Sequence, residues 1–151
     1  MDNNTVYTNN SVIIEFFEHK GMTVDTKFFA APAIEVLTSV KTAVNHGAVL
    51  LSNPLAGVRN TNPVFPSAKF STSSRPNTQK VTAINPYISL LVSQANGTVD
   101  FQSARKLEEA LTVYKKNARL RFMPHNDEAI KNFQLSDLEL ILFALSATSG
   151  V

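Results

Sequence analysis

The stretch Ala48-Val49-Leu50-Leu51-Ser52-Asn53-Pro54-Leu55-Ala56-Gly57 is a short apolar run that stops in a turn bearing amide, proline and glycine. An unbroken run of this kind is expected of a strand covered on both faces. It sits in a longer tract, between Val36 and Val99, that has no Asp or Glu and in which Lys41, Arg59, Lys69, Arg75 and Lys80 carry the charge. Free backbone N–H groups at a strand end, with a few cations and no competing carboxylate, suit an anionic ligand.

On the amino-terminal side, Thr5 to Thr8 reads as a strand and Asn9-Asn10-Ser11 as a polar cluster able to cap a helix over Val12 to His19, ended by Gly21. Val24 to Phe29 is a second strand. Pro32 opens a second helix, in which Ile34, Leu37, Val40, Ala43 and Val44 recur at helical spacing up to Gly47.

On the carboxyl side no period is sustained from Asn53 to Ile84, where Pro54, Pro63, Pro66 and Pro76 punctuate the chain. The segment 58–84 reads either as a long loop or as an inserted hairpin with strands at Lys69–Thr72 and Lys80–Ile84. Tyr87 to Val92 is an apolar strand, Asn96-Gly97 a turn and Asp100 an N-cap. Phe101, Ala104, Leu107, Leu111 and Tyr114 then make one apolar helical face. Pro124-His125-Asn126 interrupts, and Ala129, Ile130 and Phe133 suggest a short helical turn. Ser136-Asp137-Leu138-Glu139 has the spacing of a capping box, which predicts that the last helix starts there, with Leu135 and Leu140 as its staple. Leu140 and Phe143 fall off the face set by Leu138, Ile141, Leu142 and Leu145. They are open to two readings, a wholly core helix or a homodimer contact through the C-terminal helix.

The order of elements predicts an α/β protein: a single three-layer domain over residues 1–151 with a mostly parallel four-stranded sheet and helices on both faces. In a doubly wound sheet the first and third strands lie side by side, and a crevice opens beyond their carboxyl ends. Those ends are Asn9-Asn10-Ser11 and Ser52-Asn53-Pro54, so the candidate ligand site is Asn9, Asn10, Ser11, Ser52, Asn53, Gly57 and Arg59. Asn85 and Tyr87 join it if the fourth strand runs the other way or the long loop folds back. The same residues have a plainer reading, in which Asn9, Asn10 and Ser11 cap a helix and Asn53-Pro54 with Gly57 form a turn.

Composition narrows the function classes. The chain has 151 residues, a formal charge of +2, 44% hydrophobic residues and no cysteine, which removes disulfides and thiolate chemistry. Phe65, Phe70 and Arg75 among sparse cations read as a solvated loop rather than a nucleic-acid surface. His19 and His46 each precede a glycine at a helix end, where a positive charge is favoured, and His125 stands alone; none is read as a base or as part of a metal cluster. Walker and dinucleotide glycine patterns are missing, and no cofactor is expected. Met1-Asp2-Asn3-Asn4 does not look like a signal peptide, and no apolar run reaches the roughly 18 residues of a membrane helix. A cytoplasmic protein without membrane contact is the expectation.

Four segments together resemble the GrdX family: Tyr7-Thr8-Asn9-Asn10, Leu50 to Gly57, Asn85-Pro86-Tyr87-Ile88-Ser89-Leu90-Leu91-Val92, and Asn132-Phe133-Gln134-Leu135-Ser136-Asp137-Leu138-Glu139-Leu140-Ile141. The chain departs from that pattern between Val58 and Ile84, where its connection is longer. Members are small proteins encoded beside glycine, sarcosine and betaine reductase components in amino-acid-fermenting anaerobes. The resemblance implies an accessory of that selenoprotein system, with a reductase-complex component as a partner, rather than a catalytic subunit. It carries over no catalytic residue. Two functions follow: a non-catalytic accessory that binds a small anionic metabolite, or a small α/β enzyme acting on a phosphorylated or carboxylate metabolite.

Overall fold

The structure, a computed structural model, describes residues 4–61, 80–94, 97–121 and 126–148. In chain order the elements are β1 (Thr5–Thr8), α1 (Ser11–Lys20), β2 (Asp25–Phe28), α2 (Ala33–Asn45), β3 (Val58–Thr61), β4 (Lys80–Ile84), β5 (Ser89–Val92), α3 (Phe101–Lys116), a 3-10 turn (Ala118–Arg121) and α4 (Asp127–Thr148).

The central sheet has the order β2-β1-β5. β1 and β2 are parallel and are joined through α1, whereas β5 runs antiparallel to β1, with Thr5 opposite Val92 and Thr8 opposite Ser89. Alternation along these strands divides the core. Tyr7, Leu90 and Val92 pack with α2 and α3, while Val6 and Leu91 pack with Ile13 and Phe17 of α1 and Ile141 and Ala144 of α4. Helices therefore cover both faces, as a three-layer arrangement requires.

The mostly parallel four-stranded sheet expected from the element order is corrected here. The run at 48–51 forms one antiparallel bridge, Leu50 to Val92, on the outer side of β5. Backbone bonds flank that bridge, Leu51 N–H to Leu91 O and Ser93 N–H to Val49 O, both at 2.8 Å, while Val49 N–H is held by Ser93 Oγ and Leu50 N–H by Ser103 Oγ, both at 2.9 Å. The first and predicted third strands are thus separated by β5. Connectivity gives the reason: the chain leaves Leu51 and returns through Asn85 to Ile88 at the same end of the sheet, marked by Asn9 N–H to Ile88 O at 3.3 Å. Parallel pairing needs a crossover to the opposite end.

A second sheet consists of β3 paired antiparallel with β4. The hairpin partner of Lys80–Ile84 is therefore Val58–Thr61; the predicted strand at Lys69–Thr72 lies outside the described residues, as do Phe65, Arg75, Pro124 and His125.

The helix ends follow local chemistry. Asn10 Oδ1 accepts from Val12 N–H and Gly21 takes a left-handed conformation just past α1, while Asp100 accepts from Ser103 N–H at the start of α3. α4 departs from its predicted start. It runs unbroken from Asp127, with Asn126 Oδ1 accepting from the N–H groups of Glu128 and Ala129 at 2.7 and 3.2 Å. The Ser136-to-Glu139 pattern lies inside the helix and caps nothing, because Asn126 already supplies the cap. Among the described residues no helix is long and apolar enough to cross a membrane.

Candidate functional site

The carboxyl end of β1 meets the start of β5 and the middle of α4. Asn10 N–H donates to Thr8 Oγ1 at 2.9 Å, Thr8 and Ser89 hydroxyls lie 2.7 Å apart, and Ser89 Oγ donates to Asp137 Oδ2 at 2.5 Å. Asn10 Nδ2 closes the circuit, donating to the same Asp137 oxygen at 3.1 Å and to Gln134 O at 2.9 Å. With its proton directed at Asp137, Ser89 accepts from Thr8. All four residues are buried. Burial pushes the Asp137 carboxyl up to about 6, although the bonds from Ser89 and Asn10 favour its charged form. A carboxyl in that range exchanges its proton near neutral pH.

Two cavities adjoin this network and share Ala56, Gly57 and Leu140. One, of about 330 Å³, has Asp137 and Ser89 on its wall with Ser52, Asn53, Tyr87 and Tyr114. Burial also raises the Tyr87 hydroxyl above its ordinary value. The other, of about 380 Å³, lies between the β3-β4 sheet and α4 and is bounded by Gly57, Arg59, Asn85, Asn132 and Ser136. Arg59 is exposed at its rim.

The residues predicted for the site separate into distinct places. Asn9 links three segments: its Nδ2 donates to Ala31 O at 3.0 Å and Pro86 O at 3.1 Å, and its Oδ1 accepts from Ile88 N–H at 2.8 Å. Asn10 is the buried cap of α1 and Ser11 is exposed at its first turn. These three do not line either cavity. Ser52 Oγ accepts from Leu91 N–H, and Asn53 Oδ1 accepts from Leu55 N–H in a tight turn; both line the smaller cavity. Gly57 lines both cavities and Arg59 the larger. A Cβ at Gly57 would stand 3.1 Å from Asn85 Cβ, so the small residue keeps that approach close.

Asp137, Ser89, Asn132 and Ser136 were not among the predicted residues. One signal did mark Asp137: it shares a helical face with Ile130, Phe133, Ile141 and Ala144, and an acid on an apolar stripe is either neutralised or functional. Asn85 and Tyr87 do reach the region, since the strand they introduce runs opposite to β1. Among the described residues no group of His, Cys, Asp and Glu is arranged to hold a metal ion.

No curated protein and no solved structure matches the chain. A family profile described as GrdX-like protein matches residues 74–146, a span that takes in β4, β5, α3 and most of α4, with Ser89, Asn132, Ser136 and Asp137 inside it. Over those residues the chain is similar to GrdX-like proteins.

Proposed function

We propose that the protein is a non-catalytic, cytoplasmic accessory of the glycine, sarcosine and betaine reductase system, and that it binds a small carboxylate or phosphate at Gly57, Arg59, Asn132 and Ser136. One observation carries this reading. The larger cavity has a guanidinium, two amides and a hydroxyl among its described lining residues and no carboxylate. A guanidinium offers a two-pronged donor that fits either anion, and Gly57 keeps the backbone accessible. The similarity to GrdX-like proteins over residues 74–146 supports the accessory role, through the resemblance set out above.

The test is a thermal-shift series with glycine, sarcosine, betaine, acetate and acetyl phosphate on the wild type, Arg59→Ala and Asn132→Ala. The reading expects at least one anion to raise the melting midpoint of the wild type and Arg59→Ala to lose that rise. If no anion moves the wild type, the site does not exist.

A second reading is favoured by Asp137, whose buried carboxyl, raised to about 6, lies on a cavity wall beside a serine hydroxyl. On that reading the chain is a small α/β enzyme acting on a phosphorylated or carboxylate metabolite, with Asp137 moving the proton. Turnover in the wild type that disappears in a folded Asp137→Asn variant would establish it.

A further inference from the structure

We propose that the smaller cavity, on whose wall Asp137 lies, is a binding site for a small organic ammonium ion, a site that does not rest on the anion reading. Asp137 is 4% exposed and borders the cavity, and its two side-chain donors, Ser89 and Asn10, are neutral and converge on one oxygen, Oδ2. Among the described lining residues there is no Lys, Arg or His. The ion pair found in the described structure, Lys41 with Glu108, lies between α2 and α3. A buried carboxylate with neutral partners alone is costly to keep charged, and a cation brought by a ligand relieves that cost.

The remaining wall says what kind of cation. Leu51 and Leu140 are apolar, and the rings of Tyr87, Tyr114 and Phe143 border the same space. Aromatic faces together with one carboxylate attract an alkylated ammonium more than a hydrated metal ion, because the alkyl groups bury against the rings while the charge meets the carboxylate. A volume of about 330 Å³ admits a small molecule and not a polymer. A carboxylate or phosphate ligand would instead face Asp137 with like charge, so the two cavities select opposite charges.

Calorimetric titration of the full chain at pH 7.5 with n-butylammonium chloride and tetramethylammonium chloride, against n-pentanol and sodium chloride, tests this. Expected is saturable binding of at least one ammonium salt, weaker by about tenfold or more for the alcohol, absent for sodium chloride, and lost in Asp137→Asn. Phe143, being 75% exposed, can be cut to alanine without disturbing the core, and Phe143→Ala is expected to weaken ammonium binding several-fold. No binding by the folded wild type overturns the proposal, as does an alcohol that binds equally well. Undiminished affinity in folded Asp137→Asn, or in Phe143→Ala where the first variant does not fold, overturns it too. Failure leaves the anion reading standing, since neither ammonium probe contains a carboxylate or phosphate.

Discussion

The Ser89 hydroxyl donates to the Asp137 carboxylate at 2.5 Å, fastening the first residue of β5 to the buried face of α4 across 48 positions of sequence. Because burial holds the Asp137 carboxyl at about 6 rather than 3.8, the folded chain binds more protons than the unfolded chain between those values. Its contribution to stability is full below about pH 4 and falls as pH rises through 6. Other carboxylates add their own slopes, so the informative quantity is the difference between Asp137→Asn and wild type. Chemical denaturation is expected to show that difference shifting in favour of the variant by on the order of 2–3 kcal/mol between pH 4 and pH 7.5. A difference that does not change with pH contradicts the raised value.

Asn10 combines an N-cap with two bonds to α4, from one fully buried side chain. Asn10→Ala should lower stability by about 2–4 kcal/mol, the sum expected of a lost cap and of unmade buried hydrogen bonds. Neighbouring Ser11 is exposed, and Ser11→Ala should stay within about 0.5 kcal/mol. Urea midpoints of the two variants check the contrast.

Gly47 has φ of 106°, and a Cβ there would stand 2.3 Å from the Gly97 backbone nitrogen. Gly47→Ala should therefore destabilise by more than about 2 kcal/mol, combining backbone strain with a clash that no side-chain movement relieves. Gly21 has φ of 67° and open space around it, so Gly21→Ala should cost about 1 kcal/mol, from strain alone. Melting midpoints of the pair separate the two effects.

The start of α4 can be tested in the same way. Asn126→Ala removes the side chain that caps Glu128 and Ala129 and should cost about 1 kcal/mol. Ser136→Ala, at an exposed position inside the helix, should leave stability unchanged or slightly raised, since alanine is the better helix former. A larger loss at Ser136 than at Asn126 would return the helix start to the capping-box position.

These contrasts show which parts of the fold the sequence announces. α1, α2 and α3 are legible because their ends carry local chemistry: Asn10 and Gly21, Pro32, and Asp100. The direction of β5 is not, because Ser89-Leu90-Leu91-Val92 is buried throughout and reads the same either way; the return of the chain to the Asn9 end decides it. At α4 the serine-to-glutamate spacing resembles a start, yet the cap lies ten positions earlier at Asn126, where it acts through geometry rather than a repeated pattern. For the site, Ser52, Asn53, Gly57 and Arg59 come from the segment the apolar run pointed to. The wall they face comes from α4, and a contact between elements so distant in sequence leaves no local periodic trace.

Arg59 and its neighbours are the groups proposed to hold a small anion. Calorimetric titration of wild type and Arg59→Ala with acetyl phosphate and acetate, which carry no ammonium group, tests this. Saturable binding of at least one of these by the wild type is expected, weakened by about tenfold or more in Arg59→Ala, the loss that follows when a bidentate charged contact is removed. Binding that survives unchanged in Arg59→Ala, or no binding by the wild type, would contradict it.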